Sequence, residues 1–233
     1  MPVEHLLLDE AQDSTERQFE VLLDYIKPKN WFLVGDWRQS IYGFCGARPD
    51  ILIDISCREG VKTYELSENY RNGKKILDYA KGIIRLAGLK YRDSSYTKYD
   101  CEGCVIDREM DFEEIARSIA KKDDYSDWFI LTRANADIDI MSRFLKKYNV
   151  PFDSFKRSQL NTKELNNKLK ENTVKLLTIH AAKGLEADNV IVIGARYFNL
   201  EEICISYVAA TRARNLLVWV RAPKKRRRIE SWI

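Results

Sequence analysis

The strongest constraint on the fold is an alternation. Along the 233 residues, short apolar runs closed by a carboxylate, a glycine or a polar turn take turns with segments of helical period. The runs are "HLLLDE" from His5, "WFLVGD" from Trp31, "KTYEL" from Lys62, "CVIDRE" from Cys104, "DWFILTR" from Asp127, "KLLTIHA" from Lys175, "NVIVIGA" from Asn189 and "LLVWVRA" from Leu216. Each is too short for a helix, and most are apolar throughout, as in strands buried on both faces. Between the first two, Phe19, Leu22, Leu23 and Ile26 fall at helical spacing, with Ser14 or Thr15 able to cap the start and Pro28 marking the end. Residues 74–86, 112–121, 138–148 and 201–212 carry similar patterns. Strands alternating with helices predict an α/β protein with a mainly parallel sheet.

Residues 67–72 divide a small first lobe from a larger second one. The polar, tyrosine-rich stretch 88–103 reads as a long connection within the second lobe, and the Lys/Asn-rich stretch 161–172 as a surface helix with its connections.

Composition excludes several classes. Hydrophobic residues make up 45% and charged residues 32%, the balance of a chain that buries a core rather than a disordered one. No apolar run is long enough to span a bilayer, and the acidic start does not resemble a signal peptide, so an intracellular protein is expected, bacterial or viral and cytoplasmic. The net charge of +4 does not by itself imply nucleic acid. The unbroken basic run Lys224 to Arg228 reads as a solvated tail, a phosphate contact or, as the alternative localisation, a nuclear-import signal. Five cysteines is an odd number, which speaks against a disulfide framework. Cys101 and Cys104 form one CxxC with no second ligand pair at zinc spacing, so structural metal is disfavoured.

Five stretches point to chemistry. In "LLLDEAQD", Asp9 at the exit of a buried strand can hold Mg²⁺, and the neighbouring Glu10 can polarise a water. In "VGDWRQSIYGFCGA", Gln39 follows a strand end and can both donate to a phosphate and accept from a water, while Tyr42 and Phe44 can stack on bases. In "LSENYRN", Arg71 offers a planar fork for phosphate oxygens and Tyr70 a ring for a purine. In "TVKLLTIHAAKGLEADNVIVIG", two strands flank a turn containing Thr178, His180, Lys183, Gly184 and Glu186. Further on, "YVAATRAR" supplies Arg212 as a second arginine of the same type.

Taken together, DEAQD, GDxxQSIYxFxGA, LxxNYR, TIHxxKGLExxxV and YVAxTRA resemble motifs II to VI of superfamily 1 DNA helicases of the UvrD/Rep/PcrA type, in that family's order and over most of the chain. The resemblance implies RecA-like lobes of the P-loop NTPase type: an incomplete first lobe over 1–70 and a complete second lobe over 71–233. It implies ATP and Mg²⁺ as cofactors, with Asp9 on the metal and Glu10 activating water. Gln39 would read the γ-phosphate, Arg71 and Arg212 would act as arginine fingers, and Tyr70 would stack on adenine. Glu186, in the turn with Gly184, would hold the ribose. Tyr42, Phe44, Thr178 and His180 would face single-stranded DNA or a single/double-strand junction. In that family hydrolysis between two lobes drives movement along the strand, with a suggested 3′ to 5′ polarity.

Two departures matter. No GxxxxGK[ST] phosphate loop occurs, and Cys45 stands where the family's "FRGA" has arginine. Without the loop's amides and lysine, nucleotide affinity should fall severely. The chain alone is therefore expected to be inactive, its phosphate grip coming from outside these residues or from a partner polypeptide. A non-catalytic DNA-binding or regulatory subunit is the alternative.

Overall fold

The computed structural model describes residues 3–89, 93–155 and 167–222. The basic run Lys224 to Arg228 and residues 161–166 of the Lys/Asn-rich stretch lie outside them. The chain divides into two compact units, one of Met1–Gly103 with Arg196–Arg212 and the other of Cys104–Ala195 with Ala213–Ile233.

The first unit is built from small pieces. Strands β1 (His5–Leu8) and β2 (Asn30–Leu33) pair in parallel, with Leu7 opposite Phe32. Between them Thr15 and Gln18 form a reciprocal capping box that starts helix α1 (Glu16–Phe19), which continues as a π-helical stretch over Glu20–Tyr25. Helix α2 (Pro49–Ser56) follows, with proline in its first turn where the missing N–H costs nothing. Its Ile51 and Ile55 pack with Ala11 and Phe19, and Leu8, Trp31 and Leu33 from one face of the β1–β2 pair border that core. The other face is bare: Leu7 is 77% and Phe32 57% exposed. Two-residue strands β3 (Glu68–Asn69) and β4 (Tyr96–Thr97) make a second parallel pair, and helix α3 (Lys74–Arg85) lies between them in sequence.

The second unit is one six-stranded, wholly parallel sheet. Its strands are β5 (Cys104–Glu109), β6 (Trp128–Thr132), β7 (Phe152–Phe155), β8 (Val174–Thr178), β9 (Ala187–Ile193) and β10 (Ala213–Arg221). Their order is β5-β10-β9-β6-β8-β7. Every residue of β6 and β8 is buried. Helix α4 (Phe112–Ile119), capped by Asp111, and helix α5 (Asn135–Lys147) pack Ile115, Ile119, Ile138, Met141 and Leu145 with Ile130, Leu176 and Ile191. Each such side chain contributes roughly 1.5–3 kcal/mol by leaving water. The one charge inside β8, Lys175, has its ammonium capped by the carbonyls of Glu171 (2.8 Å) and Thr173 (2.9 Å), with Asp153 at 3.7 Å. That arrangement is how a buried cation is tolerated.

The parallel α/β architecture is the one the alternation predicts. "KTYEL" is the exception, because residues 62–66 form no strand. Tyr64 and Leu66 are exposed, and with no neighbouring strand to pair with, β propensity alone does not order a strand. Conversely, α2 and β7 form where the sequence reading has no element. Within 88–103, β4 pairs with β3 in the first unit. No helix among the described residues is long and apolar enough to cross a membrane.

Candidate functional site

The exits of β1 and β2 are stapled into one feature by Gln12. This buried side chain accepts the Asp36 N–H at 3.0 Å through Oε1 and donates through Nε2 to Glu10 Oε2. Gly35 makes room for it, since a Cβ there would stand 2.6 Å from Gln12 Oε1 and 3.2 Å from the Ala11 nitrogen. Asp9 and Glu10 are exposed at the turn, and Asp9 Oδ1 accepts the Glu10 N–H at 2.8 Å. Glu10 has φ 50° and ψ 38°, a left-handed conformation that costs a non-glycine residue roughly 1–2 kcal/mol. Backbone strain of this kind persists only where its surroundings hold it, and here Gln12 and Asp9 do so.

Beyond β2, the Asp36 carboxylate caps the tight turn Trp37–Gln39 by accepting the Arg38 N–H at 3.0 Å, and it also accepts Gln39 Nε2 at 3.1 Å. After β3, the Asn69 side chain accepts the N–H groups of Arg71 (3.1 Å) and Asn72 (2.8 Å), turning the chain so that Arg71 leaves the strand end. Helix α6 (Leu200–Ala210), capped by Asn199, delivers Arg212 just past its end. That guanidinium is 1% exposed and donates to the Val208 carbonyl (3.0 Å) and Thr211 Oγ1 (3.1 Å). Gln39, Arg71 and Arg212, widely separated in sequence, line a single polar cleft of about 100 Å³ in the first unit, together with Asp36, Arg38 and Asn72. Guanidinium forks beside an amide are groups of the kind that can receive an oxyanion.

The remaining expected residues divide between the units. Tyr42 and Phe44 stand edge to face with ring centroids 5.8 Å apart, and Phe44 is largely exposed. Tyr70 is exposed, its hydroxyl bonded to Glu68. In the second unit, Thr178 is buried and its hydroxyl accepts the Ala181 N–H at 3.2 Å, starting the turn that carries half-buried His180. Gly184 has φ +82°, a backbone state suited to glycine, and exposed Glu186 lies 4.0 Å from Arg214. The sequence reading missed Arg38, Asn72, Asp93, Tyr207 and Thr211. Only the three-residue spacing of Asp36 and Gln39, a capped turn, was available as a signal. All five cysteines are free thiols, and burial pushes that of Cys204 up to about 12, which leaves it unreactive. Among the described residues no three His, Cys, Asp or Glu side chains gather as a metal cage.

The fold and the cleft define a parallel α/β protein with a polar cleft lined by Arg38, Arg71 and Arg212. Residues 2–58 match the UvrD/REP helicase N-terminal domain and residues 153–222 the UvrD-like helicase C-terminal domain. A probable DNA helicase of Mycoplasma pneumoniae is 30% identical over 94% of this chain, which spans 43% of that protein. The ATP-dependent DNA helicase Rep of Escherichia coli is 29% identical over 64% of this chain and is covered to 24%. The protein of the same name from Buchnera aphidicola is 31% identical over 67% of this chain and is covered to 26%. The chain belongs to the UvrD/Rep-like helicase family. It spans less than half the length of these relatives.

Proposed function

We propose that this chain carries part of an ATP-dependent DNA helicase or translocase, which couples hydrolysis to movement along single-stranded DNA. The observation that carries the reading is the convergence of Gln39, Arg71 and Arg212 on one cleft. In a phosphoryl-transfer site, positioning and charge stabilisation do most of the work, so residues aimed at a terminal phosphate are what the chemistry requires. Arg71 and Arg212 would neutralise charge on the γ-phosphoryl group as it passes from ADP to water, and Gln39 would orient the attacking water. Glu10 would take its proton. The segments 1–70 and 71–233 would correspond to the family's first and second lobes.

Asp9 fits Mg²⁺. The ion keeps most of its waters and needs only one or two protein carboxylates, so an exposed aspartate at a strand exit suffices where no cage exists among the described residues. When bound, the ion would supply charge neutralisation across the phosphates. Tyr70, with an exposed ring, would stack on the adenine, while Gly184 and Glu186 would form the turn at the ribose. Tyr42, Phe44, Thr178 and His180 would contact DNA, with the largely exposed ring of Phe44, set edge to face against Tyr42, offering a surface for a base.

The 233 residues contain no GxxxxGK[ST], so the reading includes a phosphate loop supplied from outside them, by another segment of the same protein or by a partner polypeptide, and these residues by themselves should not hydrolyse ATP. The bare face of Leu7 and Phe32 would gain by being covered by that same segment or partner, since both apolar side chains stand exposed side by side on a strand pair. The test is phosphate release with single-stranded DNA, measured for the chain alone and mixed with a loop-bearing polypeptide of the family. DNA-stimulated turnover only in the mixture supports the reading. Turnover by the chain alone overturns its dependence on a partner, and DNA binding without turnover in either sample favours the non-catalytic alternative.

A further inference from the structure

Arg38 is absent from every functional role above, yet it lines the cleft and engages Asp36, Asp93 and Tyr207. Its Nε donates to Asp36 Oδ1 at 2.7 Å and its Nη1 to Asp93 Oδ2 at 2.5 Å, and its guanidinium carbon lies 5.2 Å from the centre of the Tyr207 ring. Three separate segments of the first unit thus meet on one planar cation. Asp36 is the carboxylate that also receives Gln39 Nε2, so the group Arg38 grips is the group that orients the glutamine. With its nitrogen held toward Asp36, the Gln39 amide directs its oxygen the opposite way.

On the Asp93 side the polar chain continues. Asp93 Oδ1 accepts the N–H of Ser95 at 2.9 Å, and Ser95 leads into β4. Two residues on, Thr97 Oγ1 donates to the carbonyl of Asn72 at 2.8 Å. Asn72, fully buried, in turn donates through Nδ2 to the carbonyl of Thr211 at 3.0 Å. Asn72 and Thr211 are the immediate neighbours of Arg71 and Arg212. Beside the cleft, hydrogen bonds link Gln39, Asp36, Arg38, Asp93 and Ser95, the backbone carries the link from Ser95 to Thr97, and further hydrogen bonds join Thr97, Asn72 and Thr211. Within this path Arg38 ties two carboxylates together. A guanidinium does this because its donors point in two fixed directions at once. A lysine ammonium, a point charge on a flexible stem, cannot hold both geometries.

We propose that Arg38 is a positioning residue: through Asp36 it fixes the orientation of Gln39, and through Asp93 and Tyr207 it ties that glutamine to the segments bearing Arg71 and Arg212. The role rests on the helicase reading for its purpose, but its geometry stands apart from that reading. The test follows the Gln39 side-chain amide by NMR in the full chain, its signal assigned by its loss in Q39E. R38K keeps the charge and removes the fork, and D93N breaks the far anchor. Both should speed solvent exchange of the Gln39 side-chain amide about tenfold or more, with backbone amides of the second unit unchanged. The double variant R38K/D93N should be no worse than either alone, as for two links of one chain. A Gln39 amide as ordered in both folded variants as in the native chain would overturn the proposal. With a loop-bearing partner, R38K should lower kcat with little change in the KM for DNA. If the native mixture shows no turnover, the helicase reading fails while the amide measurement still decides the role of Arg38.

Discussion

The two units solve opposite problems. The second buries every residue of β6 and β8, one face of them against α4 and α5, and its stability is a matter of apolar area. The first has only two-residue or four-residue strands, a small apolar core and a bare strand face, and is organised instead by side-chain hydrogen bonds from Gln12, Asp36, Asn69 and Asn72. Such networks contribute modestly to net stability, because each bond replaces one to water. What they contribute is orientation, which a cleft that must present two arginines and a glutamine requires. Packing holds the second unit together, and polar geometry shapes the first.

That contrast can be broken by substitutions in each unit. The largest effect should come from Glu10→Gln. In the presence of a loop-bearing partner it should cost roughly 10²–10⁴-fold in turnover, the usual worth of a general base, while leaving the melting curve unchanged. Leu176→Ala should do the reverse, costing about 2–5 kcal/mol in denaturant unfolding of the second unit because a cavity opens in a fully buried strand. Thr15→Ala removes the capping box from α1 and should cost about 1 kcal/mol, confined to probes in the first unit.

A smaller effect is tied to pH. Burial works against the charge of Asp93, but hydrogen bonds from Ser95 and the Arg38 cation hold its carboxyl below the ordinary 3.8. The folded state then binds fewer protons than the unfolded one. Its contribution is complete above pH 3.8 and is lost as the pH falls through the lower folded value. Acid titration of D93N should lack that part of the unfolding limb. Smallest of all, Phe32→Ala on the bare face should stay within about 0.5 kcal/mol in the isolated chain. A loss comparable with that of Leu176→Ala would mean the face is already covered.

How much of this was legible in the sequence follows the same division. The strands of the second unit announce themselves because burial on both faces writes an unbroken apolar run, as in "WFILT". A cap at Ser14 or Thr15 was readable for a similar reason, being a local pattern, and the structure places it at Thr15. "KTYEL" misled because its residues favour strand intrinsically while the decisive factor, a neighbour to pair with, is not local. In the first unit, Gln39, Arg71 and Arg212 could be picked out from motif resemblance, and the structure brings them to one cleft. Arg38, Asp93 and Asn72 could not. They act through partners 55 and 139 residues distant, and nothing in the stretch around Asp93 signals an ion pair.

In the proposed function, Gln39, Arg71 and Arg212 together receive a terminal phosphate. The most direct measurement is a crystal structure of the chain with a loop-bearing polypeptide and the β,γ-imido analogue of ATP. The prediction is a terminal phosphate within hydrogen-bonding distance of the Gln39 amide and of both guanidinium groups. A nucleotide bound with its terminal phosphate away from all three would contradict it.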